Sequence, residues 1–378
     1  MSKTRAHAEV VVLGSHPCCA FAAALLAENG VPSALASIPG EAAPDRLILI
    51  NPKFFELHKF TTAIKKSLAL TPVYGLKFLG DDEHTESEYV AKNVAGYIAC
   101  FSDFSNAMLE QAKRAKVEIV ESKTLEIRGA DENGVHLSIN GVEKNPRMLI
   151  VGGQLPDAQR RILGLHESWE HGVMHRYTFL RLKGLKWIEP QPKATIPMSL
   201  DLAGKLMWAW LLADKDEVQI AVEQGGDTIA WLPPAKLLAM WIATLTKHRV
   251  LKPGPKPIDL ELAESIDLPL AGALSQEGVA NRALLIGPAG GFYTASSEDM
   301  YPNCWSAMFA VDVAKQALKQ KHLQDALGAY RETWGSTLGD YLRGPQENLR
   351  FLLPLVYRNP VMTARMGEAI LLGASVVR

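Results

Sequence analysis

Two passages far apart in the chain have the same build, and together they restrict the fold more than anything else in it. Glu9 to Gly30 reads EVVVLGSHPCCAFAAALLAENG, and Ala283 to Leu318 reads ALLIGPAGGFYTASSEDMYPNCWSAMFAVDVAKQAL. Each sends an apolar strand through a tight turn into an alanine-rich helix. A strand without a polar face belongs inside a parallel sheet covered on both sides. The turn then sets a helix N-terminus at the sheet's edge, where backbone N–H groups can receive a phosphate.

The text between these passages fits one such sheet. The helix from about Cys18 to Asn29 ends on Gly30, and Val31 to Ala36 supplies the next strand of a βαβ unit. Phe101 to Lys116 carries apolar residues at helical spacing and leads to the strand-like Val117 to Val120. Thr124 to Ile139 reads as a hairpin turning at Asp131-Glu132-Asn133-Gly134, and Met148 to Val151 as another buried strand. From Arg176 to Gln224 the pattern changes to strands rich in aromatics, which predicts a separate, mainly antiparallel lobe. Ala235 to Lys247 reads as an amphipathic helix, Lys252 to Pro257 as a stiff connector, and Tyr330 to Val377 as helices broken at Asn359-Pro360. The expected division is a discontinuous dinucleotide-binding-type domain (1–44, 92–172 and 266–325), a second lobe (45–91 and 173–265) and C-terminal helices (326–378).

Composition removes several classes of function. With 40 basic and 41 acidic residues among 378, no charge excess favours nucleic acid or an anionic surface. Four cysteines, two of them adjacent, are not a secreted disulfide framework, and a reducing cytoplasm is expected. No apolar run approaches the ~20 residues of a transmembrane segment. A hydrophobic small molecule is the expected partner, and nothing in the chain sets an oligomeric state.

In order and phrasing the chain resembles the flavoprotein monooxygenase fold, and within it the geranylgeranyl-reductase-like FAD-dependent oxidoreductases. The phrases that carry the resemblance are the opening strand-turn-helix, LIVGGQLPDAQRRILGL (Leu149 to Leu165), LMWAWLL (Leu206 to Leu212) and PLAGALSQEGVANRALLIGPAGGF (Pro269 to Phe292). The resemblance implies an α/β, Rossmann-like FAD-binding fold with an antiparallel second lobe. It also implies that Gly14, His16, Pro17, Arg161, Gly287, Ala289, Gly290 and Gly291 stand at the cofactor-facing positions.

At those positions the sequence departs from the family. The first turn should be Gly-x-Gly-x-x-Gly, but after Gly14 it has His16 and Cys19 at the second and third glycines. The ribose-binding acid is missing at Ala36 and Ser37, with Glu41 a few residues late. Phe101 stands where an Arg reaches the cofactor, Gln154-Leu155 replaces Asp-Gly, and Pro288 replaces the Asp that holds the ribityl chain. Proline offers neither a side-chain acceptor nor a backbone donor. Five such losses at roughly 1–2 kcal/mol each would turn nanomolar flavin binding into millimolar, if they add.

Other clusters have plainer readings beside the functional ones. The resembled fold would bring His16, Cys18, Cys19 and Cys304 together, but His-Pro-Cys-Cys matches no metal-ligand spacing, and small thiols suit close helix–sheet contact. Trp208 and Trp210, two apart on a strand, form either one wall of a substrate pocket, with Tyr293 and Met300 across from them, or the lobe's own core. Two functions follow: an FAD-dependent oxidoreductase of monooxygenase or reductase type with an atypical FAD site, or a flavin-free protein that keeps the fold for binding or scaffolding.

Overall fold

A computed structural model describes residues 8–41, 44–165, 174–183, 195–202, 205–215, 217–225, 232–252, 257–269, 278–292, 300–343 and 349–374. At its centre Val10–Leu13, buried at all four residues, pairs in parallel with Ser33–Ala36 on one side and Met148–Val151 on the other. The sheet extends to six strands in the order Val279–Ala280, Ala283–Leu285, Met148–Val151, Val10–Leu13, Ser33–Ala36, Glu118–Val120. The strands Val10–Leu13 and Ala283–Leu285 therefore lie one strand apart, with Met148–Val151 between them.

The helix Pro17–Glu28 starts at a proline, whose missing N–H costs nothing in the first turn. Its residues from Pro17 to Leu26 are all buried, because the helices Phe101–Arg114 and Met300–Ala317 cover the sides the sheet does not. Alanines along it permit this close three-way contact. The other face of the sheet is covered by the antiparallel strands Leu125–Ala130, Val135–Ile139 and Val142–Lys144, with the short helix Asp157–Ile162.

The second sheet has seven strands in the order Glu264–Pro269, Met174–Lys183, Glu217–Gly225, Lys205–Asp214, Thr195–Leu202, Gly75–Leu79, Glu86–Val90. All neighbours are antiparallel except Thr195–Leu202 with Gly75–Leu79. Its strand Glu264–Pro269 carries the sheet past residue 265. One face packs on the helix Pro234–Lys247 around the buried Trp241, and the other carries Tyr177, Trp208 and Trp210. A three-stranded sheet of Leu47–Ile50, Gly96–Cys100 and Thr71–Val73 lies by that second face, where Gln219 bonds both the N–H and the C=O of Leu47. The helices Leu349–Arg358 and Pro360–Leu372 close the Glu86–Val90 edge, and the break between them is Asn359, whose side chain caps the second. Among the described residues no helix is long and apolar enough to cross a membrane.

Candidate functional site

The three parallel strands end in turns that converge: Gly14 to Pro17, Gly152 to Gln154, and Gly287 to Gly291. Gly14 has φ +129°, and a Cβ there would collide with the backbone of Gly153 and the Sγ of Cys19. The glycine is thus required by the meeting of two protein turns. His16 caps the Pro17 helix, its Nδ1 accepting the Cys18 N–H at 3.3 Å and lying 3.0 Å from the Cys18 Sγ. The Cys19 N–H donates to the His16 carbonyl at 2.8 Å, and Pro17 has none to give.

Glu41 completes the closure. Its carboxylate accepts the Ser15 N–H at 2.8 Å and is also bonded by the backbone of Gln154. Burial raises its carboxyl above the usual range, although those N–H bonds pull the other way. Glu41 is thus a clasp between two turns.

The third turn is equally occupied. Gly287 N–H donates to Ser306 Oγ at 3.1 Å, and those of Ala289, Gly290, Gly291 and Phe292 go to the carbonyls of Gly152, Ile286, Pro288 and Gly287. Gly287 has φ +49°, and a Cβ there would overlap the Sγ of Cys18. Gln154 Nε2 reaches the Pro288 carbonyl at 3.4 Å, so the residue in place of Asp-Gly ties two turns together. Burial, the neighbouring Cys19 and Cys304 thiols and the Glu41 carboxylate push the Cys18 thiol well above its ordinary value, which makes it a filler and not a nucleophile. Beside Gly287 stands Asn303, fully buried, with no hydrogen-bond partner for either side-chain atom among the described residues.

Phe101 lies at the start of its helix, with the buried Arg46 guanidinium 3.8 Å from its ring centroid and the His16 ring 6.0 Å away. A cation thus stands in the region, just ahead of the strand Leu47–Ile50, but it faces a ring. Met300, at the start of the last sheet-covering helix, is buried in the same cluster as Cys18, Phe101 and Cys304.

The structure therefore brings together Gly14, His16, Pro17, Gly287, Ala289, Gly290, Gly291 and Met300. Arg161 is not among them, being exposed on the Asp157 helix, which packs on Leu125–Ala130. Trp208 and Trp210 sit in a different cluster, where Trp210 stacks on Tyr177 at 5.2 Å and 20° and its carbonyl accepts the Trp241 Nε1–H. Tyr293 lies outside the described residues. Sequence reasoning missed Arg46, whose only signal was a charge opening an apolar strand, and left Glu41 without a role.

A pyrophosphate bound in the family's manner needs free N–H donors at these turns, room between them and no opposing charge. The donors of Ser15, Cys18, Cys19, Gly287 and Ala289 are engaged, Pro17 and Pro288 have none, thiols fill the space, and Glu41 carries the wrong charge. The residues present do not fit FAD at this place. Among the described residues, no group of three or more His, Cys, Asp or Glu side chains is placed to hold a metal ion.

No protein-family model matches the sequence, and no curated protein is similar to it. Solved structures are. A geranylgeranyl bacteriochlorophyll reductase-like protein from Thermoplasma acidophilum superposes with a TM-score of 0.68 at 16% identity, covering 87% of this chain and 83% of that one. A triple mutant of the flavin-dependent brominase Bmp2 gives 0.67 at 14% identity, over 97% and 92%. A flavoprotein/dehydrogenase from Cytophaga hutchinsonii gives 0.66 at 14%, over 96% and 92%. The strand order, the converging turns and these matches agree: the chain has the α/β, Rossmann-like fold of FAD-dependent oxidoreductases of the geranylgeranyl-reductase-like, halogenase and monooxygenase type.

Proposed function

We propose that this protein works without the adenine dinucleotide and uses the flavoprotein fold to bind a hydrophobic small molecule. The observation that carries this reading is the Glu41 carboxylate on the Ser15 N–H, with the Cys18 and Gly287 donors likewise engaged from within the chain. Opening the site for a phosphate would break charge-assisted bonds and bring two anions together. The test is the visible spectrum of the purified protein and its response to added FAD. A colourless protein whose melting temperature and added-flavin spectrum stay unchanged supports the reading, and a yellow protein overturns it.

A second reading is favoured by the breadth of the structural likeness, which spans 87 to 97% of the chain in the flavin-protein matches above. In it the protein is a flavin-dependent oxidoreductase acting on a hydrophobic small molecule through an atypical FAD site. FAD would then have to displace Glu41, and the same spectrum decides.

A further inference from the structure

A half-buried histidine paired with a buried carboxylate, outside the converging turns, has no part in the site described so far. On the seven-stranded sheet, His175 Nδ1 and Glu223 Oε1 are 2.7 Å apart. Glu223 is only 5% exposed, yet its second oxygen, Oε2, has no hydrogen-bond partner among the described residues. A buried carboxylate left half satisfied is costly in a stable sheet, and a ligand donor is one way to satisfy it.

The register sets its neighbours. Glu223 pairs with Tyr177 on one side, and the pairing of Ala209 with Val222 puts Trp208 beside it on the other. The period of two then turns His175, Tyr177, Glu223, Trp208 and Trp210 to the same face. Farther along that face Gln219 seals the contact with Leu47 and bonds the Tyr177 hydroxyl, so the polar pair sits at the opposite end from that seal. This end is also where the chain arrives from the six-stranded sheet, at Met174, and leaves for it again after Pro269, which pairs with Met174. Junctions of that kind are preferred places for ligands.

A carboxylate can only accept, so in the neutral imidazole the shared proton sits on Nδ1 and Nε2 is left as an acceptor. We infer that His175 and Glu223 are the polar anchor of a binding site on this aromatic face, which takes a planar apolar molecule carrying one hydrogen-bond donor, a hydroxyl or ring N–H directed at His175. The inference rests on the reading that the protein binds a hydrophobic small molecule, and it names the group that would orient it.

The test uses β-naphthol and its methyl ether, followed by quenching of tryptophan fluorescence in the full chain. β-Naphthol should bind saturably and at least about tenfold more tightly than the ether, and His175→Ala should abolish that difference. Glu223→Gln, which keeps the side chain's shape, should weaken β-naphthol by a similar factor and serves if His175→Ala does not fold. Equal binding of the two probes by the unaltered protein, unchanged β-naphthol binding in either folded variant, or no saturable binding at all overturns the proposal. A yellow, FAD-loaded protein would sink the flavin-free reading and leave this comparison standing.

Discussion

The Glu41 carboxylate accepts the Ser15 backbone N–H at 2.8 Å, so an acid from beyond the end of one strand occupies the donor at the tip of another. The side chain thereby takes the place of an anionic ligand. Replacing Glu41 with Ala should free the Ser15 donor and remove the opposing charge. We expect ADP at millimolar concentration to raise the melting temperature of the variant by about 2–4 °C and to leave the unaltered protein unmoved. Thermal shift measures both.

The same carboxyl fixes a pH dependence. Its folded value is raised by burial, so between the unfolded and folded values the native state binds more protons. Stability from this group is therefore greatest below the unfolded value and falls as pH rises through the raised one. Glu41→Gln, which resembles the protonated form, should flatten that part of a melting-temperature profile measured from pH 4 to 8 and sit above the unaltered protein at its alkaline end.

Asp45 behaves in the opposite sense. Burial alone would raise its carboxyl, but hydrogen bonds from Arg181, Cys100 and the Ser102 N–H outweigh it and hold it at about 2. Its contribution is present above the unfolded value near 4 and is lost as pH falls toward 2. Arg181 also bonds Glu217 at 2.6 Å, so Arg181→Met strands two carboxylates. Because all three groups keep partial contact with solvent, we expect a loss of only about 1–2 kcal/mol by urea denaturation at neutral pH. The acid limb of the stability profile should shift upward with it.

Gly287 and Cys18 should be coupled. Gly287→Ala meets both a left-handed φ and the Cys18 thiol, and should cost roughly 2–4 kcal/mol. In Cys18→Ala the steric part is relieved while the backbone strain remains, so the double variant should be less destabilised than the sum, by about 1 kcal/mol or more. Strict additivity by chemical denaturation would show that the two do not touch.

Asn303 offers a test in the stabilising direction. Its amide is buried without a partner, so Asn303→Leu, close to it in shape, should raise stability by about 1–2 kcal/mol. A loss instead would reveal that the amide is satisfied in solution.

Much of the fold was legible because buried strands and capped helices are written in local pattern. Val10–Leu13, Met148–Val151 and the Asn359 break lie where apolar runs and turn residues put them. The glycine turns were legible as turns, but their purpose was not. Gly14 and Gly287 read as room for a cofactor, whereas their neighbours are Gly153, Cys19 and Cys18 from remote positions. Glu41 could be seen to miss the ribose position, but a contact with Ser15 depends on how the chain between them turns back. The His175–Glu223 pair left no mark at all, since the two residues are 48 apart and only strand register joins them.

The parallel pairing of Thr195 with Gly75 joins two stretches between which the chain supplies two strands of the six-stranded sheet, Glu118–Val120 and Met148–Val151. The seven-stranded sheet cannot be completed from contiguous chain, so its assembly must wait for a long loop to close around the other half. Refolding should accordingly be slow, and separate expression of residues 174–269 should yield a sheet with an exposed edge at Thr195–Leu202 that is prone to associate. The two halves share one folding event, which makes a retained sheet and an altered cofactor site easier to keep together than to take apart.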